Sequence, residues 1–277
     1  MTYLQFHLVF LAPALLCLAY RRRRRRGSQQ VVAPWSAIAL VAGIALLYTL
    51  PWDAALIGAG VWRYAPGRVV ATLGPVPVEE LLFIVLQTAL IGLWTGQLRQ
   101  RHTHDAPVSI PAGLRARTSG TAGWLSAGLT GLGLMLIPGG LYLGSLLAWA
   151  SIPLALHAAI GGDVLAATRR LRLLATTVPV LFLSLADRSA LALGIWQISP
   201  RQTLGLSIGG LPLEEAVFFV LSTELVVNTV LLLQTPQVLD RLPTLHRRSR
   251  RRVPPSSVLL QQSNTSEVNR LEVLRGS

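Results

Sequence analysis

The sequence predicts an all-α integral membrane protein of about seven transmembrane helices, and three observations support that prediction. Apolar residues make up 52% of the 277 residues and charged residues only 13%, which is too little polar surface for a water-exposed fold. Seven segments approach the roughly 20 apolar residues that a helix needs to cross a bilayer. All the positive charge comes from arginine, since lysine is absent, and the arginines cluster between these segments.

The predicted spans follow one another with little intervening sequence. They cover residues 3–20, 33–51, 78–96, 122–138, 141–160, 173–190 and 211–233. Little more than Pro138, Gly139 and Gly140 separates the fourth span from the fifth, so we expect a tight helical hairpin there. Prolines inside some spans are compatible with transmembrane helices, because neighbouring helices can satisfy the carbonyls that they free.

The distribution of arginine predicts the orientation of the helices. All of the 25 arginines lie in the segments after spans one, three, five and seven, except for Arg63, Arg68, Arg188 and Arg201. Because cytoplasmic loops are enriched in arginine, we expect a multi-pass protein of the cell (plasma) membrane with its N-terminus outside and its C-terminus in the cytoplasm. Basic clusters between apolar runs also argue against nucleic-acid binding, which needs a basic face on a folded domain.

Several sites for cofactors, metals and disulfides are excluded by what the sequence lacks. Cys17 is the only cysteine, so no internal disulfide and no metal site built on paired thiolates can form. The five histidines are scattered, and none has the spacing of a metal site. No G-x-G-x-x-G turn, Walker loop or D-x-x-x-D diphosphate site is present. We therefore predict no cofactor and no metal.

The second half of the sequence repeats the first, with an offset of 134 to 140 residues. The matched pairs are Tyr3 and Tyr142, Pro13 and Pro153, Asp53 and Asp187, Gly60 and Gly194, Trp62 and Trp196, Pro66 and Pro200, and Gly74 and Gly209. Each repeat reads as two helices, an external loop and a third helix. An odd number of helices would insert the second repeat upside down, and one extra helix near residues 122–138 restores its orientation. We therefore expect two parallel three-helix repeats.

The repeat predicts how the chain is divided. Residues 1–100 form the first repeat, residues 101–140 a cytoplasmic loop and linking helix, and residues 141–234 the second repeat. Residues 235–277 form a basic cytoplasmic tail, which we expect to be mostly disordered and to lie on anionic lipid headgroups.

The motif P-x-E-E-x-x-F occurs once in each repeat, where the external loop enters the third helix. It places Glu79 and Glu80 in the first repeat and Glu214 and Glu215 in the second. One interpretation is that these carboxylates only stabilise the N-terminal ends of their helices. Two copies, each after an external loop with a matched aspartate and tryptophan, favour a functional site. Ionisable groups at membrane depth are costly and usually functional, so all four glutamates are candidate catalytic residues.

Three further residues of each repeat are candidates for a supporting or substrate-binding role. In the first repeat they are Asp53, Trp62 and Phe83, and in the second Asp187, Trp196 and Phe218. The alternatives are solvated helix ends for the aspartates and an interfacial belt for the tryptophans. Six carboxylates near a low-dielectric boundary cannot all stay ionised. We therefore expect at least one to act as a proton donor at neutral pH.

With two copies of P-x-E-E-x-x-F, each after a D-x8-W loop, the sequence resembles the lycopene cyclase domain family over about residues 1–235. The resemblance implies a fused form of the paired three-helix subunits found in that family, without a flavin domain. It implies acid-catalysed cyclisation of the ψ end groups of lycopene to β-ionone rings, giving γ-carotene, β-carotene or both. The glutamates would supply acid and base, and aromatic side chains would stabilise a carbocation.

The resemblance also implies lycopene or a related carotenoid as the substrate and the lipid bilayer as the surroundings. Association with other membrane enzymes of the carotenoid pathway is a further expectation. Three alternatives stay open at this point: a cyclase of a C50 carotenoid, a proton-coupled membrane transporter, and a structural membrane subunit. The sequence also leaves open β, ε or γ rings and one or two cyclised ends.

Overall fold

The computed structural model describes residues 1–24, 35–102 and 113–241, and this part of the chain is mostly helical. Its long helices are α1 (Tyr3–Arg24), α2 (Trp35–Gly58), α3 (Val78–His102), α4 (Leu114–Leu134), α5 (Leu141–Ala167), α6 (Arg169–Ala192) and α7 (Leu213–Leu233). In α1, a π-helical stretch at His7–Leu11 lies between the α-helical parts Tyr3–Phe6 and Ala12–Arg24. The prediction of an all-α membrane protein is confirmed.

Six helices of the described chain, all except α4, are long and apolar enough to cross a membrane. Helix α4 has 21 residues, which is sufficient length. Arg115 and Arg117 lie in its first turn, and small residues fill much of the rest. It begins at Leu114 rather than near residue 122. The linking helix therefore exists as predicted, but its composition is less apolar than that of the other six.

Helices α4 and α5 form the tight hairpin that the sequence predicted. Gly139 turns the chain with a φ of 75°, a conformation that favours glycine. The two helices then approach so closely that a Cβ on Gly131 would lie 2.6 Å from the carbonyl oxygen of Gly144. Close contact through small residues is a common way for helices to pack inside a membrane.

The third helices of the two repeats, α3 and α7, pack side by side and run in the same direction. Gln87 Nε2 donates a hydrogen bond to Ser222 Oγ at 2.7 Å, and these residues occupy equivalent positions in the repeat. Further along, the Arg99 guanidinium donates to the carbonyls of Leu231 and Gln234, each at 2.8 Å. Because both sets of contacts advance along the two helices together, the repeats are parallel, as expected.

The predicted external loops, which join the second and third helices of each repeat, contain short strands that the sequence did not predict. These are β1 (Trp62–Tyr64), β2 (Thr72–Leu73), β3 (Val76–Pro77), β4 (Trp196–Ile198), β5 (Ser207–Ile208) and β6 (Leu211–Pro212). Strands β2 and β3 form a hairpin that leads into α3, and β5 and β6 form the equivalent hairpin before α7. Strand β1 pairs antiparallel with β4, so the two external loops are joined on one side of the helices.

The chain divides into two compact units, Met1–Gln234 and Thr235–Ser277. Both repeats belong to the first unit. Of the second, the structure describes residues 235–241, which include helix α8 (Pro236–Asp240). The predicted basic tail from residue 242 onward lies outside the described residues.

Candidate active site

The C-terminal ends of α2 and α6 and the N-terminal ends of α3 and α7 enclose a cavity between the two repeats. Four carboxylates line it: Asp53 from α2, Glu80 from α3, Asp187 from α6 and Glu215 from α7. The side chains of Asp53, Asp187 and Glu215 are buried, and Glu80 is half-buried. Each carboxylate of one repeat thus has its counterpart from the other repeat in the same cavity. This shared arrangement follows from the parallel packing of α3 and α7.

Glu80 accepts two hydroxyl hydrogen bonds on one carboxylate oxygen. Tyr3 Oη donates to Glu80 Oε2 at 2.9 Å, and Tyr64 Oη donates to the same atom at 2.6 Å. Trp62 Nε1 donates in turn to Tyr64 Oη at 3.1 Å. Burial and the nearby Glu80 raise the pKa of the Tyr64 hydroxyl well above its usual value, so this group stays protonated and remains a donor at neutral pH.

Glu215 accepts a single hydroxyl hydrogen bond, from Tyr142 Oη to Oε1 at 2.8 Å. The tryptophan of the second repeat bonds differently from that of the first. Trp196 Nε1 donates to Asp187 Oδ1 at 3.0 Å. Asp53 accepts no side-chain hydrogen bond within the described chain, and its Oδ2 is buried without a partner. The two repeats therefore hold equivalent acids in unequal surroundings.

Glu79 and Glu214, also candidates from the sequence, lie outside the cavity lining. Glu79 Oε1 accepts a hydrogen bond from the backbone N–H of Val70 at 2.7 Å. Glu214 Oε1 accepts one from the N–H of Leu204, also at 2.7 Å. Val70 and Leu204 are equivalent positions in the two external loops. The first glutamate of each motif therefore ties its loop to the start of the third helix, and only the second faces the cavity.

Aromatic rings form much of the cavity wall, including the predicted Trp62, Phe83, Trp196 and Phe218. The tryptophan of each repeat packs on the N-terminal tyrosine of the other. The Trp62 and Tyr142 ring centroids lie 5.5 Å apart, and those of Trp196 and Tyr3 lie 4.8 Å apart. Aromatic faces carry partial negative charge, so this wall can stabilise a cation held inside it.

Sequence reasoning missed eight residues of the cavity lining, among them three tyrosines and a tryptophan. Tyr3 and Tyr142 were recognised as a matched pair, which is the signal that could have identified them as partners of the glutamates. Tyr64 and Trp52 also line the cavity, but their equivalents are Ile198 and Ala186. The repeat contains no signal for a residue that occurs in only one copy.

In the described parts of the chain, no group of three or more histidine, cysteine, aspartate or glutamate side chains is arranged to hold a metal ion. What the cavity does offer is four carboxyl groups, hydroxyl donors and aromatic faces. Such a site can deliver a proton, stabilise a carbocation and remove a proton in surroundings that exclude water.

Comparison with known proteins agrees with this chemistry. The family model described as "Lycopene cyclase" matches residues 1–95 and 141–233, which are the two repeats without the linking segment. A lycopene beta-cyclase of Halobacterium salinarum is 39% identical over 222 residues, covering 79% of this chain and 90% of that protein.

Fungal relatives are longer. A bifunctional lycopene cyclase/phytoene synthase of Podospora anserina is 32% identical over 194 residues, covering 66% of this chain and 32% of that protein. A protein of the same name from Blakeslea trispora is 27% identical over 241 residues, covering 85% of this chain and 38% of that protein. No solved structure matches. The match of both repeats to the family model and the likeness to the archaeal enzyme show that this chain belongs to the lycopene cyclase family.

Proposed function

We propose that the chain cyclises the ψ end groups of lycopene to β-ionone rings, by proton transfer between the substrate and Glu215 and Glu80. The chain is a non-redox enzyme of carotenoid biosynthesis in a membrane. The main support for assigning these two residues is that Glu80 and Glu215, which come from different repeats, line the same aromatic cavity.

The reaction is an isomerisation, and its atoms balance without a redox partner. A proton adds to C2 of the terminal C1=C2 bond and leaves a tertiary cation at C1. The C5=C6 bond then attacks this cation, which closes the C1–C6 bond and moves the positive charge to C5. Loss of the proton from C6 forms the β ring. One acid and one base are therefore sufficient.

The hydrogen bonds support different roles for the two glutamates. Two hydroxyl donors on Glu80 Oε2 stabilise the ionised carboxylate, because hydrogen bonds to a charged acceptor are the stronger ones. Glu215 receives only one such donor, and two like charges in one buried cavity disfavour each other. We assign Glu215 as the acid and Glu80 as the base.

The cavity wall can stabilise the cationic intermediates and limit their reaction with water. Trp52 and Phe218 lie nearly parallel, with an interplanar angle of 8° and ring centroids 6.3 Å apart. Phe83 and Phe219 meet edge to face at 6.5 Å. Rings in these positions can face a cation through their π clouds, and their bulk keeps water from the reacting carbons.

A proton-coupled transporter is less well supported. Transport needs polar groups through the full depth of the membrane, whereas the four cavity acids gather at the external end of the helices.

A C50 carotenoid with the same end group would meet the same acids and rings. Supplying lycopene and a C50 carotenoid together, and comparing their consumption, measures which substrate is preferred.

The decisive experiment replaces each glutamate by glutamine in a bacterium that accumulates lycopene. Glutamine keeps the size of the side chain but cannot donate a proton. Glu80→Gln and Glu215→Gln should each lower conversion per membrane-inserted protein by about 10²-fold or more. Glu79→Gln and Glu214→Gln are matched controls, adjacent in sequence but outside the cavity, and should convert at a rate near that of the wild type.

Product analysis separates the two roles. Glu215→Gln should leave lycopene unreacted, because the cation never forms. Residual product from Glu80→Gln should include rings with a displaced double bond, because the proton is then removed from another carbon. Near wild-type conversion by either cavity variant would contradict the shared site.

We also propose that the enzyme lies in the plasma membrane with the cavity toward the outside and the C-terminus in the cytoplasm. The arginine distribution supports this orientation. A phosphatase fused after Gln234, which is active only outside the cell, should be inactive, while a cytoplasmic reporter at the same position should be active. Association with other enzymes of the pathway stays a prediction, testable by copurification from the native membrane.

A further inference from the structure

An apolar groove lies beside the candidate active site and runs along the helices, away from the predicted external loops. It is lined by residues of α2, α3, α5 and α7. Thr49, Ile84 and Phe218 line both the groove and the cavity. The two spaces therefore adjoin at these three side chains, and an occupant of the groove would lie directly beside the cavity.

The groove follows the same helix faces that carry the catalytic glutamates. On α7 the face runs from Glu215 through Phe218 and Ser222 to Thr229, at the three- to four-residue spacing of one helical face. At 1.5 Å per residue, the part from Phe218 to Thr229 is about 16 Å long. That is about half of the roughly 30 Å hydrocarbon core of a bilayer.

Several polar side chains of the groove are hydrogen-bonded within the protein, and the unpartnered Trp149 Nε1 and His157 Nδ1 are buried. Besides the Gln87–Ser222 bond, Tyr48 Oη donates to the carbonyl of Trp149 at 2.7 Å. Thr229 Oγ1 and His157 Nε2 lie 3.1 Å apart. A hydrogen-bonding occupant would have to break these pairs, so the groove fits an apolar one.

The mouth of the groove lies between α2 and α5 and faces the lipid. Ile44 is 58% exposed on α2, and Ile152 and Leu156 are 66% and 57% exposed on α5. All three line the groove. A substrate dissolved in the bilayer can therefore enter sideways, without passing through water.

We propose that this groove holds the polyene chain of the substrate while one ψ end group occupies the cavity. The proposal rests on the cyclase function proposed above. An end group inside the cavity leaves a long, stiff, apolar chain outside it, and that chain needs a continuous apolar path. The groove supplies this path directly beside Phe218, over about 16 Å along the helices.

The groove positions the substrate rather than concentrating it. Lipid tails are as apolar as the groove walls, so leaving the bilayer brings no hydrophobic gain. What the groove offers is a fixed direction along a wall that includes the stacked rings of Trp149 and Tyr48, which aims the end group at Glu80 and Glu215. Correct placement of the reacting atoms contributes strongly to rate.

The test places a bulky ring in the groove and the same ring on lipid-facing surface. Ala45→Trp fills the groove from α2, and Ile152→Trp fills it from the opposite wall. The matched control is Leu47→Trp, on α2 but outside the groove lining and 78% exposed. Purified variants in liposomes receive lycopene or an acyclic polyene with the same ψ end on a truncated chain.

The lycopene concentration that gives the half-maximal rate should rise about tenfold or more in the groove variants, because overpacking opposes binding of the long chain. Leu47→Trp should behave like the wild type, and the truncated substrate should be converted by all variants within about twofold of the wild-type rate. Unchanged dependence on lycopene in both groove variants, as expected if a lipid acyl chain is the occupant, would overturn the proposal. So would equal loss with both substrates, which places the damage in the cavity. No cyclised product from the wild type with either substrate would instead overturn the proposed function, and the groove's role with it.

Discussion

The two repeats share a motif and a Tyr–Glu hydrogen bond, but the tryptophan after each matched aspartate has a different partner. Trp62 donates to Tyr64, whereas Trp196 donates to Asp187. The difference follows from one position, because Ile198 stands where the first repeat has Tyr64 and offers no hydroxyl. Duplication therefore places two acids symmetrically, and single substitutions make their surroundings unequal.

A second difference concerns the second helix of each repeat. Thr49 of α2 lines both the cavity and the open groove, whereas its equivalent Leu183 on α6 is buried in the core with Phe6 and Leu11 of α1. Likewise, the equivalent of the aromatic Trp52 in the second repeat is the small Ala186. Among the described residues, the first repeat leaves space between helices where the second fills it. Although the two repeats share a fold, this difference gives the substrate chain one defined direction of binding.

The largest effect should come from removing both hydroxyl donors of Glu80. Tyr3→Phe with Tyr64→Phe leaves the carboxylate without its two charge-assisted hydrogen bonds. The turnover rate should fall by about 100-fold. Each single variant should lose much less, since the other hydroxyl remains on the same oxygen. Conversion assays on the two single variants and the double variant measure this coupling. Equal losses in all three would contradict shared support of Glu80.

A smaller effect should follow from Tyr142→Phe, which removes the only hydroxyl on Glu215. Loss of this donor makes release of the proton less favourable, so turnover should fall about tenfold. The matched variant Tyr3→Phe should lose less, because Glu80 retains Tyr64. Steady-state rates, normalised to the amount of membrane-inserted protein, test whether Tyr142→Phe loses more activity than Tyr3→Phe. A larger loss for Tyr3→Phe than for Tyr142→Phe would show that the second donor has no compensating effect.

The smallest effect on rate should come from the glutamates that hold the loops. Glu79→Ala and Glu214→Ala each leave a backbone N–H of the external loop without its partner. Each should cost about 1–3 kcal/mol of stability while turnover stays near the wild-type value. Thermal unfolding in detergent, beside the rate at low temperature, measures both quantities. Because the two bonds are equivalent, similar shifts are expected. Loss of turnover without loss of stability would assign these residues to the chemistry.

Much of the fold could be predicted because it depends on local pattern. Apolar runs give the helices, the Pro-Gly-Gly segment gives the α4–α5 hairpin, and the extra helix explains the parallel repeats. The strand pair β1–β4 could not be predicted. Its segments have only three residues each, and such short strands are stable only because the packed helices bring the two loops together.

The candidate site shows the same division. The sequence by itself determined that acids and aromatic residues recur at matched positions of the two repeats. Only the tertiary structure separated Glu80 from Glu79 and Glu215 from Glu214. Adjacent residues on a helix point about 100° apart, so one of each pair must face the loop when the other faces the cavity. Which glutamate of each pair faces the cavity depends on how α3 and α7 are rotated about their axes when they pack against their neighbours. The sequence repeat does not specify that rotation.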